Sequence, residues 1–344
     1  MRDPSLDALH LDHLGEFSLI DRIVARLGDA AARDILVPPG DDAAAWISPS
    51  GEIAVATIDA LVEGTHFRRD TMTFADLGWR AVAANVSDLA AMGADPRYLL
   101  IAAMLGPGLT LAEIDALAEG IAEGCRAHGV RVAGGDIVRA ATTGLTIAAY
   151  ASVPASRPLL RRDAARAGDR VAVSGTPGAG AAGLALVDAG RAGEPEGAPL
   201  LRAHRRPEAR VALGRAAAEA GVLSGIDISD GLLQDLGHIA ERSHVGIEVA
   251  AAQLPLHPAA VTLLGEQAAL DLALGGGEDF ELALAGDGGT LAGLDTPDVP
   301  VTLIGRCVEE HPGEVVVWLA DGQPYEPPRR GYDQARDRGT IAGR

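Results

Sequence analysis

The chain has 344 residues, 48% of them hydrophobic, and a formal net charge of −19 at pH 7. This length accommodates two globular domains of ordinary size. The negative charge argues against nucleic-acid binding, which depends on basic surfaces. The sequence contains no lysine, which excludes a Walker-type phosphate loop and lysine Schiff-base chemistry. A protein of this composition that handles phosphate needs metal ions to offset the charge.

No segment of the sequence predicts a membrane crossing or export. The apolar run at residues 99–105 is far shorter than the roughly 20 residues of a membrane helix, and glycine and proline follow it. Residues 1–14 contain three aspartates and lack the basic start and apolar centre of a secretory signal, so we interpret them as a flexible leader. The two cysteines, Cys125 and Cys307, are too few for a disulfide framework, which fits a reducing, cytoplasmic location.

Strand-like and helix-like segments alternate in the first half of the chain. The predicted strands are residues 53–58, 99–105, 130–133 and 145–153. An alanine-rich helix is predicted at residues 76–92. A second helix is predicted at residues 111–128, because Thr110 and Glu113 form a capping-box pair before it and Gly129 ends it. This alternation indicates a mixed α/β domain.

A domain boundary is predicted near residues 154–168, where prolines and arginines replace the apolar pattern. Strand signals then resume at residues 170–173 and 223–228, and a helix is predicted at residues 232–243. A second α/β domain is the simplest interpretation. The predicted division is a leader at 1–14, an N-terminal domain at 15–156 and a C-terminal domain at 157–344.

Aspartates recur where apolar runs give way to glycine or turn residues. They are Asp41, Asp42, Asp59, Asp136, Asp227, Asp230 and Asp279. Ligand sites gather at strand ends in α/β folds, and Mg²⁺ prefers carboxylate oxygens together with water and phosphate. Any one of these aspartates could be a simple turn former. The set as a whole would repel itself without bound cations, so it indicates a magnesium site.

Asp88 extends this set into the predicted helix at residues 76–92. It follows Asn85 by three positions, so the two polar side chains share a helix face. A solvated face is the alternative interpretation.

Gly178, Gly180 and Gly183 spell the dinucleotide pattern G-x-G-x-x-G, which in a Rossmann domain would indicate a dehydrogenase. That interpretation leaves the aspartates of the first half unexplained. We favour glycines that let a helix pack closely on the preceding strand. The sequence also lacks the motifs of hydrolase triads and zinc sites.

Seven ordered segments resemble those of thiamine-monophosphate kinases. They are residues 15–20 (GEFSLI), 40–43 (GDDA), 62–67 (VEGTHF), 85–93 (NVSDLAAMG), 134–136 (GGD), 227–231 (DISDG) and 276–281 (GGEDFE). The resemblance implies the two-domain α/β (α+β) fold of the aminoimidazole ribonucleotide synthetase superfamily. In that fold an N-terminal mixed-sheet domain binds ATP and magnesium and dimerises, and a C-terminal α/β domain covers the nucleotide.

The resemblance also implies a function. Such kinases transfer the γ-phosphoryl group of ATP directly and in line to thiamine monophosphate, with several Mg²⁺ ions, and we expect a cytoplasmic homodimer. No general base is expected, because the acceptor is already an ionised phosphate.

Particular residues match the family's functional positions. Those matching magnesium ligands are Asp42, Asp59, Asp88, Asp136, Asp227 and Asp230. Those matching ATP contacts are Thr57, Gly135, Asp136, Arg161 and Ser229. Those matching contacts to thiamine phosphate are His66, Glu278 and Tyr332. Ile58 departs from the pattern, since threonine is usual there, and it is left out of the predicted site.

Three alternatives bear on this interpretation. Selenophosphate synthetases rely on a reactive cysteine or selenocysteine and a lysine in a glycine-rich loop, and the hydrogenase-maturation dehydratase ends in a modified cysteine. This sequence contains no lysine and ends IAGR, so it resembles both less. A non-catalytic sensor of magnesium and nucleotide stays open, and binding of ATP without turnover would identify it.

Overall fold

The computed structural model describes residues 35–38 and 41–332. The predicted leader, the motif at residues 15–20 and Gly40 lie outside these residues. Among the described helices, none combines the length and the apolar character needed to cross a bilayer.

The first half of the chain forms a five-stranded sheet. Its strands are β1 (Ala44–Ile47), β2 (Ile53–Val62), β3 (Asp95–Leu105), β4 (Arg131–Arg139) and β5 (Gly144–Val153). The strand order is β1-β2-β5-β3-β4, and β3 and β4 pair in parallel while the other neighbours are antiparallel. The sheet is therefore mixed, with β4 at one edge.

Two long helices accompany this sheet, α1 (Phe74–Ala91) and α2 (Leu111–His128). Apolar side chains of α1 and of the strands form one buried core, to which α2 contributes. The predicted capping box of α2 is confirmed, and Gly129 ends this helix with φ at 69°, a conformation that favours glycine. Glycine also lets the helices meet closely, because a Cβ at Gly120 would lie 1.9 Å from the carbonyl oxygen of Ala75.

The second half of the chain forms a seven-stranded sheet. Its strands are β6 (Arg170–Ser174), β7 (Ser224–Ile228), β8 (Gly246–Ala250), β9 (Glu281–Gly286), β10 (Val301–Val308), β11 (Val315–Trp318) and β12 (Pro324–Tyr325). Their order is β12-β11-β8-β10-β6-β9-β7, with only β8 and β11 parallel among these neighbours. The accompanying helices are α3 (Ala179–Asp188), α4 (Ala198–Arg205), α5 (Val211–Glu219), α6 (Leu232–Ser243), α7 (Pro258–Leu264), α8 (Glu266–Gly275) and α9 (Gly288–Ala292).

Helix α1 joins the two halves, because it contacts α5 and β7 as well as its own sheet. Glycine again permits the contact: a Cβ at Gly214 of α5 would lie 2.0 Å from the carbonyl oxygen of Ala90. Strand β7 ends at this junction, so polar residues of α1 and β7 are brought close together. The predicted domain boundary at residues 156 and 157 falls between β5 and β6 and stays a prediction.

Two of the strands that are longer than predicted, β2 and β4, carry predicted site residues. Strand β2 continues through Asp59 because every residue from Ile53 to Val62 pairs with β5. Strand β4 runs through Gly134, Gly135 and Asp136, which the sequence suggested as a turn after the strand. The glycine serves close pairing here, since a Cβ at Gly135 would lie 2.0 Å from the carbonyl oxygen of Ile101.

The glycine pattern at residues 178–183 also differs from the expectation. A Cβ at Gly178 would lie 2.5 Å from the backbone nitrogen of Ala273, and one at Gly183 would lie 2.1 Å from the carbonyl oxygen of Leu200. These glycines therefore allow close packing against the neighbouring helices α8 and α4, and not against the preceding strand β6 as expected. Because β6 pairs antiparallel with β9 and β10, this segment is not a Rossmann unit.

Candidate active site

Three carboxylates converge where α1 and β7 meet. Oxygens of Asp42, Asp88 and Asp227 all lie within 4.8 Å of one another. Asp42 lies just before β1, Asp88 lies in the last turns of α1, and Asp227 is the penultimate residue of β7. Hard oxygen donors at this separation fit Mg²⁺. The structure thus brings together three of the predicted magnesium ligands.

The carboxylates of this cluster are buried, so water stabilises their ionised forms poorly. Burial raises the pKa of Asp88 and of Asp227 well above the usual range, and repulsion from neighbouring carboxylates raises both further. Loss of hydration also raises the pKa of Asp59, with a contribution from Asp42, although the residue keeps an exposed side. A cation placed among these groups would favour their ionised forms, so the electrostatics fit a metal site.

Two side chains of α1 fix strand β2. The hydroxyl of Thr57 donates to Asp88 at 2.7 Å, and the backbone N–H of Asp59 donates to the Asn85 side-chain oxygen at 3.1 Å. Asn85 and Asp88 therefore share the face expected from their spacing, and this face contacts β2. The alternative of a solvated helix face is excluded.

Ser87 provides the corresponding link to the second sheet. Its hydroxyl donates to the Asp227 carboxylate at 2.6 Å, and the Ser87 side chain is fully buried. The sequence prediction missed this residue, although it lies next to Asp88 in the motif at residues 85–93. No local signal indicates a partner 140 residues away.

Arg162 is the basic residue at the carboxylate cluster. Its guanidinium donates to both oxygens of Asp42, at 2.6 and 3.2 Å, and its backbone N–H donates to Asp41 at 3.1 Å. Burial disfavours the charge of Arg162, but Asp42 and Asp41 more than offset this and raise its pKa. Burial and the charge of Asp42 raise the pKa of Asp41 to about 7. Arg162 therefore holds Asp42 in place.

The predicted ATP contact Arg161 lies next to Arg162 but has a different partner. Its guanidinium donates to Asp163 at 2.6 Å, and its backbone N–H donates to the carbonyl of Leu223. Its role towards ATP stays a prediction. The two arginines are adjacent in sequence, so the sequence alone did not indicate that Arg162 is the one that binds Asp42.

Two residues that are predicted to contact thiamine monophosphate, Glu278 and Tyr332, form backbone hydrogen bonds with the loop after β7. The backbone N–H of Glu278 donates to the carbonyl of Ser229 at 2.6 Å, and the N–H of Tyr332 donates to the carbonyl of Asp230 at 2.9 Å. Glu278 and Phe280 have φ of 66° and 55°, which is unusual for residues other than glycine. Such backbone strain is concentrated at functional sites, and here it lies beside the predicted ligands.

A buried arginine of α1 holds the Glu278 side chain. Arg80 is fully buried, forms an ion pair with the Glu278 carboxylate and donates to the carbonyl of His204. Its guanidinium lies 5.9 Å from the centre of the Phe280 ring. The Glu278 side chain keeps 32% of its surface exposed, so it can contact a ligand. Sequence reasoning did not identify Arg80.

His66, the third predicted acceptor contact, lies on the β2 side of the site. Its Nδ1 accepts the backbone N–H of Val62 at 3.0 Å, so Nε2 is the nitrogen that carries a proton. His66 lowers the pKa of Asp59 against the larger effect of burial, so the two side chains lie near each other.

Asp136 does not join the carboxylate cluster within one chain. Among the described residues, the group within 4.8 Å contains neither Asp136 nor Asp59 nor Asp230. Asp136 lies on the exposed edge strand β4, and β3 and β5 separate it from the strand of Asp59. Three inter-strand steps correspond to roughly 14 Å. Gly135 lies on the same strand, so two predicted contacts lie away from the others.

The amino end of α3 is filled by a side chain. The Asp279 carboxylate accepts the backbone N–H groups of Gly178 and Gly180, at 2.5 and 2.9 Å. Burial raises the pKa of Asp279 to about 7. The N–H groups that a dinucleotide pyrophosphate would use are thus already occupied. The dinucleotide interpretation of the glycines is excluded by the packing.

Comparisons with known proteins identify the family. Models of the AIR synthase related protein N-terminal and C-terminal domains match residues 40–152 and 166–317. Thiamine-monophosphate kinase of Escherichia coli (strain K12) is 35% identical over 325 residues, which cover 93% of this chain and 98% of the relative. A structure of HypE from E. coli, at 21% identity and a TM-score of 0.60, covers 80% of this chain and 86% of that one and shares the fold.

Two solved structures extend this similarity to the whole fold. AaThiL complexed with AMPPCP and TMP superposes with a TM-score of 0.82 at 32% identity, covering 95% of this chain and 99% of that one. Thiamine-monophosphate kinase from Stenotrophomonas maltophilia K279a is 38% identical, with a TM-score of 0.73, and covers 91% of this chain and 98% of its own. The predicted two-domain α/β fold is confirmed. The chain belongs to the thiamine-monophosphate kinase family of AIR synthase related proteins.

Proposed function

We propose that this protein transfers the γ-phosphoryl group of ATP to thiamine monophosphate, forming thiamine diphosphate and ADP. The observation that carries the proposal is the convergence of Asp42, Asp88 and Asp227 beside the loop that holds Glu278 and Tyr332. A relative of the same fold binds AMPPCP and TMP together. Donor and acceptor sites that adjoin one carboxylate cluster favour direct transfer between them.

The proposed reaction requires positioned anionic ligands more than acid–base chemistry. Several Mg²⁺ ions, held by the predicted aspartates, would offset the negative charge on the transferring oxygens when bound. Thr57 orients Asp88, Ser87 orients Asp227, and Arg162 orients Asp42. These contacts fix the carboxylates before any ligand arrives, which lowers the cost of organising the site. The proposed magnesium ligands are Asp42, Asp59, Asp88, Asp136, Asp227 and Asp230.

The remaining predicted contacts are assigned from the resemblance to the family's motifs. We propose that Glu278, His66 and Tyr332 bind thiamine monophosphate, with the Glu278 carboxylate attracted to the positive thiazolium ring. His66 has its proton on Nε2, from which it can donate to a phosphate oxygen. The proposed ATP contacts are Thr57, Gly135, Asp136, Arg161 and Ser229.

We also propose a homodimer that covers the exposed face and edge of the first sheet. All nine residues of β4 are exposed. Large apolar side chains of β3 and β4, including Tyr98, Leu100 and Ile137, are 54%, 41% and 70% exposed. A large exposed apolar surface beside an open edge strand marks an interaction site. Ile58, 64% exposed, fits such an interface, because on β2 it points away from its neighbours Thr57 and Asp59.

The homodimer also accounts for the position of Asp136. We propose that Asp136 serves the active site of the other copy, together with Gly135. Mixing Asp136→Asn and Asp227→Asn proteins tests this. Half of the exchanged dimers would be mixed and half of their sites intact, so the mixture should recover about a quarter of wild-type activity. If each site used its own Asp136, the mixture would stay as inactive as its components.

The domains proposed for this reaction are residues 15–156 and 157–344. To test the function, purified protein is incubated with ATP and Mg²⁺ plus either thiamine monophosphate or free thiamine, and the products are resolved. We expect thiamine diphosphate and ADP in equal amounts, and no product from thiamine. Equal use of free thiamine would contradict the proposed acceptor. Binding of ATP without turnover would instead favour the non-catalytic sensor.

A further inference from the structure

Asp235 lies in the first turn of α6, outside every predicted set of site residues, and only 2% of it is exposed. A single oxygen, Oδ2, accepts the backbone N–H groups of Ser229, Asp230 and Gly231, at 3.1, 3.2 and 3.0 Å. Hydrogen bonds to a carboxylate are stronger than neutral ones. Three successive peptide units are therefore fixed by one side chain.

The loop that Asp235 fixes, residues 229–231, lies between the predicted magnesium ligand Asp227 and the predicted substrate contact Glu278. It begins two residues after Asp227, and its Ser229 carbonyl accepts the N–H of Glu278. Gly231 has φ at 130°, a conformation that residues other than glycine rarely adopt. A loop of this shape keeps one geometry only when surrounding groups hold it.

We propose that Asp235 is a positioning residue, which sets the geometry of the loop without touching metal, ATP or thiamine monophosphate. Successive backbone N–H groups in a loop that leads into a helix can bind phosphate. Here the side chain of Asp235 takes up these groups. The side chains that bind ligands are then those of Ser229 and Asp230 in the loop and of Asp227 in β7. The identity of those ligands rests on the proposed function.

The test uses Asp235→Asn and Asp235→Ala in the full-length protein. Asn keeps an acceptor oxygen but loses the charge, whereas Ala loses both. As a matched control, Asp287→Ala removes a helix N-cap remote from this loop, where Asp287 accepts the N–H of Thr290 at 2.8 Å. Two quantities are measured for each variant. One is the Mg²⁺ concentration that gives half-maximal turnover, and the other is the rise in thermal midpoint on adding Mg²⁺ without nucleotide.

Outer partners of metal ligands typically contribute a factor of about 10 to 100 in metal affinity. We expect the half-maximal Mg²⁺ concentration to rise by about that factor in Asp235→Ala, less in Asp235→Asn, and not in Asp287→Ala. The Mg²⁺-induced rise in midpoint should shrink in the same order. If Asp235→Ala does not fold, the Asn variant carries the test.

A lower midpoint with an unchanged Mg²⁺ requirement in the Asn variant would overturn the proposal, since Asp235 would then only stabilise the fold. A wild-type protein that fails to phosphorylate thiamine monophosphate would refute the proposed function instead. In that case the Mg²⁺-induced shift in midpoint still decides whether Asp235 positions a metal-binding loop.

Discussion

Replacing Asp227 with Asn should separate catalysis from stability. Oxygens of Asp227, Asp42 and Asp88 lie within 4.8 Å of one another. Two unit charges at that distance repel by about 3 kcal/mol at an effective dielectric constant of about 20. The raised pKa of Asp227 shows that its surroundings disfavour the charged form. Because partial protonation already relieves some repulsion, we expect the metal-free variant to gain about 1 kcal/mol, a rise of a few degrees in thermal midpoint.

Turnover should change in the opposite direction. Loss of one carboxylate ligand should cost about 3 to 4 kcal/mol of transition-state stabilisation, which corresponds to a fall in kcat of about 10² to 10³-fold. The rise in midpoint caused by Mg²⁺ should shrink in the same variant. The assay is steady-state kcat together with thermal midpoints with and without Mg²⁺. Asp298→Asn, in the exposed segment between α9 and β10, is the control for the same chemical change.

Near-normal kcat in Asp227→Asn, or a lower midpoint in the metal-free protein, would refute this reasoning. The first result would show that Asp227 is not a ligand. The second would show that the Ser87 hydrogen bond to the charged carboxylate outweighs the repulsion.

Three further changes test other parts of the structure. Glu278→Gln should raise KM for thiamine monophosphate about 10-fold or more and leave KM for ATP nearly unchanged, because the side chain that faces the positive ring loses its negative charge. Equal effects on both constants, or the same effect from the exposed control Glu309→Gln, would contradict the assignment. His204→Gln should flatten the acid side of the stability profile. Burial lowers the pKa of His204 to about 2, so below its unfolded value of about 6.5 only the unfolded state gains the proton, and wild type should lose about 2 kcal/mol more than the variant between pH 7 and 5. Parallel profiles in chemical denaturation would contradict this. Gly183→Ala should destabilise the protein by about 1 to 3 kcal/mol, because the new Cβ would lie 2.1 Å from the carbonyl oxygen of Leu200, whereas Gly193→Ala, with nothing within 4 Å, should be neutral; equal midpoints for the two variants would show that the α3–α4 contact relaxes.

Elements with strong local signals were predictable from the sequence. The bounds of α2 and α6 agree with the predicted helices, because a capping box with a terminal glycine defines the first and the pattern after residues 227–231 defines the second. Strands were less predictable at their ends. Asp59 and Asp136 looked like residues after strands because glycine and acidic residues usually mark turns. Strand β2 is extended by pairing with β5, and strand β4 by pairing with β3. The sequence of one strand does not show which strand it pairs with.

The candidate site was predictable only in its ordered motifs. Asp42, Asp88 and Asp227 converge, as the resemblance implied. Ser87, Arg162 and Asp235 were missed, since their roles depend on contacts formed only after folding. The partners of Ser87 and Arg162 lie 140 and 120 residues away.

Arg80 shows the same limit. A buried arginine on an alanine-rich helix carries no sequence signal for the glutamate that holds it. The opposite case is Asp136, whose motif was recognised but whose distance from the other carboxylates follows only from the strand order.

The central claim is direct transfer of the γ-phosphoryl group to thiamine monophosphate. Following the label from ATP carrying ³²P in the γ position, in the presence of Mg²⁺ and thiamine monophosphate, tests it most directly. We predict that the label appears in the terminal phosphate of thiamine diphosphate, one equivalent per ADP formed, with none on the protein at any time. Label released as inorganic phosphate while thiamine monophosphate stays unchanged would contradict the kinase assignment, and label bound to the protein would contradict direct transfer.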